Sequence, residues 1–296
     1  MAEVAVKSAP KKKRRSNGQG ADIWRRLRQN KKAVGAMIVL AFLLFLVVFA
    51  NLLIPYGNAV DINPPDRLQW PNAEHWFGTD HYGRDIFARI IYGARVTLLI
   101  GFGATAISAL IGTAIGTTSA YLGGKADAVI TRILDTWMAI PSLLVTLALI
   151  AGIGRGLPQT IVALAVGGIP GFSRILRAAA LDVVNRDYME AVRALGASRK
   201  RAVFKHVVPN VMSQVLIQAT SSVSGNILLG ATLSFLGLGA QPPAPEWGYM
   251  LAEGIDNYQF YSYLVSIPGL AIAITALAIN ILGDALLDAL DPRLKK

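Results

Sequence analysis

The chain has 296 residues, 53% of them hydrophobic and only 16% charged, with no cysteine and a formal net charge of +11. So apolar a composition excludes an ordinary soluble domain and indicates an integral membrane protein. The lack of cysteine excludes a disulfide framework, a thiolate metal site and a thiol nucleophile.

Residues 1–32 form a basic tail, with KKKRR at Lys11–Arg15 and further charge at Arg25, Arg26, Arg28, Lys31 and Lys32. Trp24 and Leu27 among these cations predict a short interfacial helix. A first span, residues 33–54, follows at once and carries no charge. Basic residues beside a first span hold the N-terminus inside and attract anionic membrane lipid. That accounts for KKKRR without nucleic acid, and the long apolar run without a small-residue cleavage site does not fit a cleaved signal peptide. Residues 55–92 read as an extracytoplasmic segment containing FGTDHYGRD, Phe77 to Asp85.

A core of five further spans is expected over 93–290, followed by a cytoplasmic tail, 291–296. Its further spans fall at 96–121, at 136–153 (entered through Asp135 and marked by Pro141), at 157–173 (broken by Gly167, Gly168, Pro170 and Gly171), at 211–238 and at 264–283. Each is about the 17–25 residues needed to cross a bilayer, and unsatisfied backbone in lipid demands helices. The fold class is therefore all-α, with six transmembrane helices. With the N-terminus inside, 24 of the 29 Lys and Arg residues fall on the cytoplasmic side, as the positive-inside rule requires.

Ala104, Ser108, Gly112, Gly116 and Ala120 give the second span a small residue at every fourth position, a ridge suited to close helix packing within the subunit. The fifth span carries Ser222, Asn226, Gly230 and Ser234 at the same spacing. Such a stripe either hydrogen-bonds a neighbouring helix or lines a water-filled translocation path, and these four are the path candidates. Asn280, Asp284 and Asp288 share a face at the end of the sixth, where pairing with Arg174 or Arg177 is expected.

Residues 186–210 are the one long polar interval in the second half. Asp187 and Glu190 have the spacing of an acidic capping box, and Tyr188, Val192 and Leu195 share a face. Gly196 is placed to end that helix in the left-handed region, Ser198 to cap a second, and Pro209 to stop it. This predicts a helix–turn–helix elbow in the cytoplasm. Whether Tyr188, Val192 and Leu195 face a partner's groove or hold the elbow to the other helices is left open.

No catalytic chemistry stands out. There is no GxxxxGK[ST] phosphate loop, because Gly123-Gly124-Lys125 runs into Ala126. His75, His81 and His206 have no metal-ligand spacing, and His75 and His81 beside Asp80 and Asp85 read as structural. No enzyme activity, cofactor or metal is expected. An ion-driven secondary transporter would show inverted repeats and mid-membrane ionisable groups, neither of which is found.

Glu190-Ala191, with Gly196 six residues after the Glu and Pro209 thirteen further on, resembles the EAA loop of ABC importer permeases; Val192 departs mildly from the usual Ala. Together with FGTDHYGRDIFARIIYGARVTLLIG (77–101), RDYMEAVRALGAS (186–198), HVVPN (206–210), LSFLGLGAQPPAPEWGYML (233–251) and LGDALLDALDPR (282–293), the chain resembles the second permease of dipeptide, oligopeptide and nickel ABC importers. His81-Tyr82 replaces the more usual acidic-Leu pair. The resemblance implies a type I importer: a homologous second permease, two ATPase subunits and an extracytoplasmic substrate-binding protein, with peptide, nickel or another small solute as cargo. It implies that Asp187, Glu190, Ala191, Arg193, Gly196 and Ser198 belong to a coupling helix that docks on the ATPase.

Overall fold

The computed structural model describes residues 19–290; the KKKRR run and the tail 291–296 lie outside them. The described residues are helical apart from connecting loops and one isolated bridge between Thr79 and Asp85. The short helix expected before the first span is α1 (Gln19–Gln29), and the first span is α2 (Lys31–Leu53). Asn30 separates them, its Oδ1 accepting from the Lys32 and Ala33 amides at 3.0 and 3.3 Å. A single turn, α3 (Gly57–Val60), leads into the loop that precedes the second span.

The second span, α4 (Ile86–Leu122), starts six residues before Tyr92 and so shortens the expected extracytoplasmic segment. Asp85 sets this start, its Oδ1 taking the Ala88 amide at 2.8 Å. At 1.5 Å per residue the helix is about 55 Å long, more than a bilayer thickness.

The third span is not one straight helix. It is α5 (Gly124–Met138) and α6 (Ser142–Ile153), bent by 85° at the break that Pro141 closes. The fourth, α7 (Leu157–Val184), runs unbroken through Pro170 and eleven residues beyond the expected end. Two of its glycines serve packing instead: a Cβ at Gly168 would lie 2.8 Å from Ser108 Oγ, and one at Gly167 3.2 Å from Thr146 Oγ1, while Gly171 faces open space.

The elbow supplies α8 (Asp187–Ala194) and α9 (Arg199–Ala202). The fifth span is α10 (Val208–Phe235); α11 (Trp247–Gly254) lies in the following loop, and α12 (Tyr263–Leu290) closes the described chain. Among the described residues four helices are long and apolar enough to cross a membrane, and the bent pair makes a fifth. The sixth is α10, whose Ser, Gln and Asn content lowers its hydropathy, but which packs among α4, α7 and α12.

The small-residue ridge of α4 faces α7, as the sequence predicts. A Cβ at Gly116 would collide with the Ser173 carbonyl oxygen, and one at Gly112 with Phe172 Cβ. Ser108 Oγ donates to the Ala165 carbonyl at 2.9 Å. Gly116 meets Ser173 further along, so α4 and α7 run parallel; α10 runs antiparallel to α4, with Ile227 at Gly101 and Asn226 at Thr105, and α12 antiparallel to α10, with Gly283 at Thr220. The start of α2, the elbow and the ends of α4 and α12 consequently lie on one side, with residues 54–85 and 236–262 on the other.

Candidate functional site

The elbow is built by its local sequence, though not with every expected cap. Arg186, with extended backbone, precedes α8, and no side chain caps it; Asp187 sits inside the first turn, so the capping box with Glu190 does not form. Both carboxylates instead complement the helix dipole. The opposite end is a full Schellman turn: the Ala197 amide donates to Val192 O at 3.3 Å and the Gly196 amide to Arg193 O at 3.0 Å. Gly196 has φ +74°, as its position predicts, and open space surrounds its missing Cβ. Ser198 caps α9, its Oγ accepting the Arg201 amide at 3.4 Å.

Pro209 does not stop the second helix. Residues 203–207 widen into a π turn and the chain continues directly into α10, with Pro209 in its first turn, where a missing amide hydrogen costs little. The helical chain therefore runs from the elbow into the fifth span without a break.

Met189 anchors α8. Fully buried, it packs with Val183, Val207 and Val211, and Val192 joins that cluster. Tyr188 and Leu195 do not share this inward role: they are 39% and 87% exposed. Tyr188 Oη receives a long 3.4 Å hydrogen bond from Asn210 Nδ2. Asp187, Glu190 and Ala191 are exposed or nearly so, as is Ser198. Arg193 is oriented rather than loose, its guanidinium carbon 5.3 Å from the centroid of the Tyr121 ring at the end of α4. The predicted elbow residues thus form one open surface on a fixed base. Sequence reading missed Met189, which shares the inward face with Val192 at i, i+3, because Tyr188 at i, i+4 from Val192 offered a competing face.

The α10 stripe turns toward its neighbours. Asn226 Nδ2 donates to Thr105 Oγ1 at 2.9 Å, Ser222 Oγ accepts from Gln218 at 3.2 Å, and Gly230 and Ser234 are buried. A Cβ at Gly230 would meet Ile100 at 2.6 Å. Ser222 and Asn226 keep some exposure.

At the end of α12, Arg177 is engaged elsewhere, with Asp127, and among the described residues no ion pair joins Arg174 to Asp284 or Asp288, so the expected pairing is not made. Asp288 instead lines a groove with Arg25 and Arg26 of α1, where Leu27 and Ala285 pack together. The basic helix has folded back onto the last span.

On the opposite face, Asp80, Arg84, Arg89 and Glu253 form a buried ionic cluster that the sequence did not announce. Arg84 reaches Asp80 at 2.7 Å and Glu253 at 2.8 Å; Arg89 reaches them at 2.8 and 2.6 Å. The available hint was that residues 239–263 hold three acids, Glu246, Glu253 and Asp256, and no Lys or Arg. Burial would lower the Arg84 pKa, but the Asp80 and Glu253 carboxylates outweigh it and hold the pKa above the usual range. Burial lowers that of His81, against the pull of the same two carboxylates. Glu246 caps α11 through the Tyr249 amide at 2.9 Å and accepts from Thr97 Oγ1 at 3.0 Å; burial raises its pKa despite these bonds. His75 Nδ1 lies 2.8 Å from Asp85, a structural pair; among the described residues no three His, Asp or Glu are grouped as metal ligands.

Bent and straight spans around a protruding elbow define a multi-pass helical membrane protein of the importer-permease fold. Two inward-facing structures of the MetNI methionine ABC transporter share it, with TM-scores of 0.55 and 0.57 at 21% and 22% identity. They cover 69% and 70% of this chain, and 96% and 98% of theirs. Residues 110–296 match the model of the binding-protein-dependent transport system inner membrane component, and residues 18–71 that of the N-terminal TM domain of oligopeptide transport permease C. Among curated relatives, the di/tripeptide transport system permease protein DppC of Pseudomonas aeruginosa is 41% identical, over 93% of this chain and 92% of its own. The dipeptide transport system permease protein DppC of Alkalihalophilus pseudofirmus is 39% identical over 93% and 90%. The glutathione transport system permease protein GsiD of Pectobacterium atrosepticum is 39% identical over 93% and 91%. This chain belongs to the family of binding-protein-dependent transport system inner membrane components.

Proposed function

We propose that the chain is the permease subunit of an ATP-driven importer of short peptides. It works with a homologous second permease, two ATPase subunits and an extracytoplasmic substrate-binding protein. The observation that carries this reading is the elbow: an open surface of Asp187, Tyr188, Glu190, Arg193 and Leu195 on a base held by buried Met189. Docking there would change the free energy of the spans, because α10 continues from the elbow without a break. Glu190 and Arg193 offer charge-assisted hydrogen bonds to the ATPase, and Leu195 an apolar contact. The peptide assignment rests on the relatives named above, and substrate selection is assigned to the binding protein.

The orientation follows from charge. The elbow side carries most of the cations and is assigned to the cytoplasm, with both termini. Peptide passes between the two permeases, and the partly exposed Ser222 and Asn226 are the members of the α10 stripe most accessible to it.

Co-expression with the partner genes and reconstitution into liposomes tests the whole reading. Uptake of a labelled dipeptide should require ATP inside and binding protein outside. Reporter fusions at residues 75 and 250 should be extracytoplasmic, and those at 20, 125 and 195 cytoplasmic. An extracytoplasmic signal at 195 sinks the model, since no ATPase could reach the elbow.

A further inference from the structure

The bent third span has an unusual attachment. α5 follows α4 through Gly123 and Gly124, both at positive φ (+61° and +53°), and neither has any atom within 4 Å of where a Cβ would be. A joint of two unpacked glycines transmits little orientation from α4 to α5. Within α5 itself, Leu134 alone is buried in this chain. What fixes its first turn is Asp127. One carboxylate oxygen takes both Ser119 Oγ of α4 and Arg177 Nε of α7, each at 2.6 Å, while the other takes Arg177 Nη2.

Ser119 and Arg177 lie on the same ends of α4 and α7 that carry the elbow's contacts. Ser119 is two residues from Tyr121, which lies under the guanidinium of Arg193 in α8. Arg177 lies in the last turns of α7, which runs into α8 through Asn185 and Arg186. The base of the elbow also packs on both helices, with Met189 in one cluster with Ala120 of α4 and Val183 of α7. The bidentate guanidinium–carboxylate fork is directional, unlike apolar packing, so it constrains angle as well as distance.

We infer that the Asp127–Arg177–Ser119 clip is the linkage by which movement of the elbow is passed to the bent pair α5–α6. The clip makes α5 follow α7 where the glycine joint alone would let it swing. Asp127 and Arg177 are positioning residues that act through α5. This inference rests on the reading of residues 187–196 as the element that docks on the ATPase.

The test uses the reconstituted complex with three readouts: ATPase subunit retained on the permease, ATP hydrolysis stimulated by binding protein, and peptide taken up per ATP hydrolysed. Asp127→Asn and Arg177→Gln should retain the ATPase and its hydrolysis while uptake per ATP falls about tenfold, within the usual range of coupling energies. The exchanged pair Asp127→Arg with Arg177→Asp should recover a large part of the loss. Because the chain has no cysteine, the double variant Asp127→Cys with Arg177→Cys can be joined by a short cleavable thiol cross-linker. Uptake per ATP should rise on linking and fall again on cleavage. Unchanged uptake per ATP in the single variants overturns the inference, as does loss of assembled permease in every variant, which would mark the clip as scaffold. Failure of the unaltered permease to retain the ATPase at all would instead overturn the reading of the elbow.

Discussion

Arg89 Nη2 lies 2.6 Å from Glu253 Oε2, joining residues 164 apart in the sequence, with the Arg89 side chain only 2% exposed. The pair clamps the start of α4 to the end of α11, while Arg84 spans the same two acids, Asp80 and Glu253. A buried ion pair is weak as a net source of stability, but removing one partner strands the other. Glu253→Ala should therefore destabilise the packing of α11 on the start of α4 by about 3–5 kcal/mol. Thermal unfolding of the purified protein reads this directly, and Glu253→Asp should lose less. An unchanged midpoint for the Ala variant would show that water or the second acid compensates.

His81 predicts a pH dependence. Its pKa in the fold is lowered, chiefly by burial, so on acidification the unfolded chain takes up the proton first. Any contribution is absent well above pH 6.5, the unperturbed value, and stability falls as pH drops below it. His81→Phe should remove this part of the acid sensitivity. The comparison is the midpoint difference between about pH 7.5 and about pH 5.5 in the two proteins, either side of the ordinary histidine value, which should be smaller in the variant. Asp80, Glu253, Arg84 and Arg89 act on the same site, so the difference between proteins is the informative quantity.

At Gly196 the penalty is conformational alone, because no atom crowds the site. Gly196→Asn should keep coupling, since Asn visits positive φ, whereas Gly196→Val should cost about 1–2 kcal/mol and misdirect α9. Met189→Ala should loosen the base of the elbow by about 2–5 kcal/mol. Stimulated ATP hydrolysis and uptake, measured together, should fall for Gly196→Val and for Met189→Ala, and stay near normal for Gly196→Asn. Equal behaviour of the two Gly196 variants would remove the left-handed turn from the account.

Close approach of α4 and α7 leaves no room at Gly116. Gly116→Leu should abolish stable insertion, as overpacking by a whole side chain costs about 1–3 kcal/mol or more and here meets backbone. Gly225→Ala is the control: nothing lies within 4 Å of its added methyl, so it should be neutral or slightly stabilising. Yield of folded protein after detergent extraction separates the two.

The sequence by itself determined what a bilayer and a regular helix dictate. Runs such as 33–54 must be helices because lipid offers the backbone no other partner, and the distribution of Lys and Arg supplies the orientation proposed for them. Gly196 and Ser198 were legible because turn and cap chemistry is local, and the Gly112–Gly116 ridge because a helical period repeats along it. The tertiary structure decided everything that depends on residues far apart in the chain. Asp127 faces Arg177, and Glu253 faces Arg84 and Arg89, because helix packing brings them together, and no local pattern records that choice. It also overruled two local signals. Pro209 was absorbed by a π turn, and α7 continued through Pro170, because burial against α4 and the elbow outweighs one lost backbone hydrogen bond.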